Sequence, residues 1–192
     1  IHDSAMKSSK TIFLALILIF ISQLLMSFGY EFLMSQQPID YAHWALLVGA
    51  VLLFGLWFQL PDHSTKSIGL TIMSFGIAGI AGMCMIDFIL WAADGQPELK
   101  NELFGLIFNT PAIQIPFLIV GPTLFYAGIC IATYGLFSAY QWQVICVNAG
   151  ALLIGLGHMI FQNAMIPVLG ALLLFVGLVA ILSPVKLKTS KA

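Results

Sequence analysis

The sequence predicts an all-α integral membrane protein, a bundle of six transmembrane helices forming one domain. Composition is the first ground. Of 192 residues, 60% are hydrophobic and only 8% are charged, and the mean hydropathy is +1.02. An ordinary globular domain carries roughly 25% charged residues, so a soluble fold is excluded. Segment length is the second ground. Crossing about 30 Å of hydrocarbon takes roughly 20 apolar residues as a helix, and six runs qualify once turn signals divide the sequence. Charge placement is the third. Lys7, Lys10, Lys66, Lys186, Lys188 and Lys191 fall on one side of a six-span arrangement and Lys100 alone on the other, which puts both termini in the cytoplasm.

The six spans run approximately from Thr11 to Tyr30, His43 to Leu60, Ser67 to Trp91, Ile113 to Phe137, Gln143 to Phe161 and Ala164 to Leu182. Gln36-Gln37-Pro38, Pro61-Asp62-His63-Ser64 and Asp94-Gly95-Gln96-Pro97 separate the early ones, because Pro and small polar residues do not continue a lipid-exposed helix cheaply. Gln162-Asn163 makes the shallowest division. Residues 1 to 5 precede Met6 and read as a cloning remnant, leaving 6 to 192 as the transmembrane domain. The first run has Lys before an apolar stretch, as a secretory signal does, but its core is too long and it reads as a retained anchor. A plasma membrane of the bacterial inner-membrane kind is the expected location.

Between spans three and four, Leu99, Leu103, Leu106 and Ile107 share one helical face and Glu98, Lys100, Asn101 and Glu102 lie largely on the others. That spacing predicts a short amphipathic helix on the outer membrane surface, with an ordered loop on the bundle as the alternative. Leu52-Leu53-Phe54-Gly55-Leu56 and Leu152-Leu153-Ile154-Gly155-Leu156 match at a fixed offset. Three spans per half would make the halves inverted, as in many secondary transporters. Common Leu and Gly also produce such matches by chance.

Ionisable groups within a span cost about 2.5–3.5 kcal/mol at the bilayer centre, so each one is a functional suspect. Asp87 and His158 are the best placed, in the outer thirds of spans three and five, with Glu31 at similar depth in span one. Helped by Gln162, Asn163 and Gln114, they would form a polar pocket open to the outside that binds a solute or cation. Asp87 or Glu31 would titrate and His158 would be the partner or relay. The competing reading is structural, since groups near an interface reach headgroup water by snorkelling. His43 stands at the very edge of span two and reads as a boundary residue.

Pro116 and Gly121-Pro122 predict a kink in span four. Gly76, Gly79 and Gly82 give span three a face for close packing, either inside the chain or between copies in a homo-oligomer. Cys84, Cys130 and Cys146 sit singly in apolar runs and read as core residues. No cofactor or metal is implied. The absence of Arg and a formal net charge of −1 exclude nucleic acid as a partner, leaving the lipid bilayer and a small solute or lipophilic ligand. The leading function is therefore a transporter or channel-like carrier of a small solute or ion. An intramembrane enzyme or lipid-binding protein acting on a lipophilic substrate is the alternative, and a non-catalytic membrane subunit or scaffold the second.

Overall fold

The computed structural model describes residues 2–157 and 163–183, and among them every regular element is helical. The order is α1 (His2–Met26), α2 (Tyr30–Ser35), α3 (Tyr41–Leu52), a 3-10 turn at Leu53–Gly55, α4 (Leu56–Gln59), α5 (Lys66–Ala92), α6 (Pro97–Asn109), α7 (Pro111–Ile113), a π-helix at Gln114–Val120, α8 (Gly121–Tyr134), α9 (Gln141–Leu156) and α10 (Met165–Leu182). Four helical stretches among the described residues are long and apolar enough to cross a bilayer: Tyr41–Gln59, Lys66–Ala92, Pro111–Tyr134 and Met165–Leu182. Lys10–Met26 and Gln141–Leu156 are equally apolar in kind but shorter.

Packing follows chain order. α1 lies on α3, α3 on α5, α5 on α8, α8 on α9, α9 on α10, and α10 returns to α1. The core runs between them through Leu16, Leu53, Leu70, Met73, Phe125, Ile129, Ile154 and Leu174, all shielded completely or nearly so.

The tightest of these contacts is α5 on α8, and glycine is what permits it. A Cβ at Gly76 would lie 2.2 Å from the backbone nitrogen of Phe125, and one at Gly79 would lie 2.2 Å from the Cα of Gly121. Gly82 faces the Phe117 ring at the same distance, and Gly128 approaches the backbone of Met73. The Gly76, Gly79 and Gly82 face is thus covered within the chain by span four, the intrachain one of its two expected uses.

Several elements depart from the sequence expectation. The first connection is not a plain loop, because Tyr30–Ser35 forms a helical turn and a half. Span two is interrupted at Leu53–Gly55, whereas the matching Leu152–Leu156 segment is regular α-helix up to Leu156, so the paired segments differ locally. Span four widens into a π-helix rather than simply kinking. Pro116 and Pro122 each lack an N–H, so the α ladder cannot run through this stretch, and the Gly121 N–H bonds five residues back to the Pro116 carbonyl. The helix expected at Pro97 to Asn109 is present with those bounds.

The two ends of the bundle are tied differently. At one end the Lys66 ammonium donates to the Leu60 carbonyl at 2.7 Å and to Asp62 at 2.8 Å. There His63 Nε2 lies 2.6 Å from the Ala132 carbonyl, and Thr65 Oγ1 accepts from the Gly135 N–H, so this short connection is fixed to the end of α8. At the other end the Lys100 ammonium of α6 donates to Asp94 at 2.7 Å, touches the Met34 sulfur of α2 and stands 4.9 Å over the Tyr30 ring. Overpacking a tight site costs about 1–3 kcal/mol. Thermal unfolding in detergent should therefore show Gly79→Ala destabilised by about that much, while Gly155→Ala, whose Cβ meets no described residue within 4 Å, leaves the midpoint unchanged or raises it.

Candidate functional site

The site begins at the start of α3. A helix leaves its first N–H groups without partners, and here the preceding segment supplies them. Gln36 Oε1 accepts from the N–H groups of Tyr41 at 2.7 Å and Ala42 at 3.3 Å. Asp40 Oδ1 accepts from the His43 N–H at 3.1 Å, an N-cap at the usual position. Gln36 and Asp40 are both buried, so this terminus is closed by side chains rather than by water.

The cap also aims a ring. Asp40 Oδ2 lies 2.5 Å from His43 Nδ1, which fixes the Nδ1 proton toward that carboxylate and turns Nε2 the other way. There it meets Asp87 Oδ2 of α5 at 3.3 Å. Two carboxylates and one imidazole are therefore linked in a line, Asp40 to His43 to Asp87. Trp44 stacks on Phe88 with ring centroids 5.0 Å apart, and since these residues directly follow His43 and Asp87, the stack fixes α3 against α5 at this level.

Burial pushes the Asp40 carboxyl upward, but the His43 hydrogen bond and charge, together with the amides of His43 and Ala42, outweigh it. The group is held below the usual carboxylate range, and the positive end of α3 acts in the same direction. Asp40 is accordingly ionised at neutral pH.

Asp87 opens onto a cleft-like cavity of about 400 Å³ lined by α1, α3, α5, α8 and α9. Its walls are mainly apolar, and its polar groups are few: Asp87 and His43 at one end, Gln23 of α1, and Thr123 and Tyr126 of α8. Leu118 and Ile119 of the π-helix form part of the wall, so the widened stretch of span four borders the chamber. The Thr123 hydroxyl donates to the Ile119 carbonyl one turn back at 2.6 Å.

Among the residues expected from sequence, Asp87 alone is seen in this chamber. His158 and Gln162 lie outside the described residues. Glu31 is exposed on α2, and Gln114 is half-buried at the start of the π-helix. Asn163 is exposed and its side-chain oxygen accepts from the Met165 N–H at 3.0 Å, just before α10. None of these three lines the cavity.

The partner of Asp87 that sequence reasoning missed is His43, with Asp40 behind it. A signal was available. Asp40 and His43 stand three residues apart at a helix start, the spacing at which an N-cap side chain and the side chain at the third helical position meet. Among the described residues no three His, Cys, Asp or Glu side chains converge as metal ligands. In the Asp40–His43–Asp87 line both ring nitrogens are already turned to carboxylates.

Compared with known proteins, the chain matches no family model, no curated protein and no solved structure.

A depressed carboxyl stabilises the fold at pH values above the unfolded-state pKa, and that stability is lost as the pH falls through the lower folded-state value. Thermal melts between neutral pH and the carboxylate range should show the wild type losing stability on acidification, and Asp40→Asn should flatten that loss. At neutral pH Asp40→Ala, which removes the cap oxygen that Asn would keep, should cost about 1 kcal/mol.

Proposed function

We propose that this protein is a membrane carrier that takes a small amphiphilic molecule into the chamber between α1, α3, α5, α8 and α9. The observation that carries this reading is one ionisable line, Asp40–His43–Asp87, ending at an apolar cavity. Binding sites for small molecules are concave and mostly apolar, with a few polar groups that fix orientation, and about 300–1,000 Å³ is their usual size. An apolar body would occupy the walls of α8 and α9, and a polar head would reach Asp87 and His43. A bare ion fits this lining poorly, because most of the wall has nothing to replace its hydration shell.

In the same reading the chain crosses a plasma membrane six times, α1 and α9 included, with both termini in the cytoplasm. The Lys distribution supports that orientation. α6 would then lie in the outer interface. It exposes Leu99, Phe104, Leu106 and Phe108 while burying Ile107 against the bundle, which leaves apolar side chains on both flanks of its packed face for the acyl-chain boundary. Single cysteines test the arrangement. With the native cysteines removed, a cysteine at Ser64 or Ser138 should be labelled by an impermeant maleimide only from the cytoplasmic side, and one at Asn101 only from the opposite side.

A second reading has its own support. A carboxylate holding Nδ1 of a His is how many enzymes orient a general base, so an intramembrane enzyme acting on a lipophilic substrate remains as the alternative. It expects turnover of such a substrate to be lost in His43→Ala.

The carrier reading is tested by filling the chamber. Gly155 lines the cavity and no described residue lies within 4 Å of its Cβ position, so Gly155→Phe adds a large ring at the chamber wall. In proteoliposomes with an imposed pH gradient and an internal pH dye, amphiphilic amines, alcohols and carboxylic acids are added in turn. At least one class should change the gradient roughly tenfold faster through wild type than through Gly155→Phe, the loss expected when a fitted pocket is blocked. Equal rates for every class in the two proteins would end the carrier reading.

A further inference from the structure

The carrier reading leaves the charge of the ligand open, and the Asp87 contact closes it. His43 Nδ1 faces Asp40 at 2.5 Å, and Nε2 faces Asp87 at 3.3 Å. A carboxylate oxygen and an unprotonated ring nitrogen are both acceptors, so this second contact is favourable only with a proton on one of the two. A proton on either group is therefore the favourable state of the pair. Two carboxylates and the one shared proton leave the line with a single net negative charge.

Resting on the carrier reading, we infer that the ligand is a lipophilic monocation, an apolar body with one ammonium-type head, and that it binds at Asp87 in exchange for the proton held between Asp87 and His43. The balance is simple. The cation's head pairs with the Asp87 carboxylate, the His43 ring keeps its Nδ1 proton on Asp40 and is left neutral, and one proton passes to solvent. The line carries the same net charge before and after. A neutral ligand that displaced the proton would leave two carboxylates uncompensated in a mostly apolar chamber, which is costly. An anion would add a third negative charge.

Among the described residues, nothing else around the chamber offers a substitute for the cation. The titratable groups facing this contact are Asp40 ahead of α3, Cys84 on α5 beside Asp87, and Tyr126 and Cys130 on α8. α1 contributes the neutral Gln23, and the described cavity-lining residues of α9 contribute no titratable group. No Lys is among the described cavity-lining residues, and the chain contains no Arg. His43 acts here as a positioning residue that shares the exchanged proton with Asp87.

The test uses one body with three heads: phenylbutyltrimethylammonium, phenylbutanol and phenylbutyrate, added to the purified full-length protein in detergent. The quaternary head cannot titrate, so any proton released comes from the protein. Calorimetry in buffers of different ionisation enthalpy should give about one proton released per cation bound, and cation affinity should rise with pH by about tenfold per unit across the titration, the slope of a one-proton exchange. Asp87→Asn should remove cation binding, and His43→Gln should abolish the pH slope. The wild-type proton count and slope decide the matter even where a variant misfolds. Binding of the alcohol or the carboxylate as tight as that of the cation, and abolished by Gly155→Phe, would overturn the cation assignment and leave the chamber reading intact. Absence of Gly155-sensitive binding by any of the three would overturn both.

Discussion

The closeness of α5 to α8 governs the rest of this bundle. Lipid gives helices no hydrophobic reason to associate, so dispersion between well-fitted surfaces must do it. Gly76, Gly79, Gly121 and Gly128 bring the two backbones to a separation that no Cβ would survive. With that seam fixed, the neighbouring helices take up positions around it. α8 is preceded by a stretch where Pro116 and Pro122 forbid a regular ladder, and the widened π-helix there both meets α5, through Phe117 on Gly82, and lends Leu118 and Ile119 to the chamber wall.

The charged line is affordable in such surroundings only because each member compensates the next. Asp40 is covered almost completely, yet it accepts two hydrogen bonds from one residue and stands at the positive end of α3. His43 spends both ring nitrogens, and Asp87 alone keeps a partly open face. The gradient of burial along the line, from Asp40 through His43 to Asp87, therefore leads from a buried helix cap to a partly exposed carboxylate at the cavity.

Much of the helical architecture was legible because apolar length and Pro or polar interruptions are local properties. Asp94-Gly95-Gln96-Pro97 marked the end of α5 and the start of α6 to within a few residues, and the face pattern from Leu99 to Ile107 announced a helix. What sequence reasoning did not reach was pairing between elements. Asp87 stood out because a carboxylate in an apolar run is expensive. His43 did not, since a His at a span edge looks solvated, and only the fold shows that the span starts beneath a cap formed by Gln36 and Asp40. The π-helix was likewise read as a kink, because two prolines reveal where a ladder fails but not how the backbone closes the gap. The short helix at Tyr30–Ser35 carries no strong start signal, its N-cap position being Gly29 with φ 91°.

The unequal fastening of the two ends has a mechanical meaning. Where His63 and Thr65 grip the end of α8, the links run to main-chain atoms across about seventy residues of sequence, so they bind one hairpin to the next. Where Lys100 reaches Asp94, Met34 and Tyr30, the fastening consists of one flexible side-chain tip. A single substitution at Lys100 would therefore undo the second fastening, whereas the first is divided between two residues.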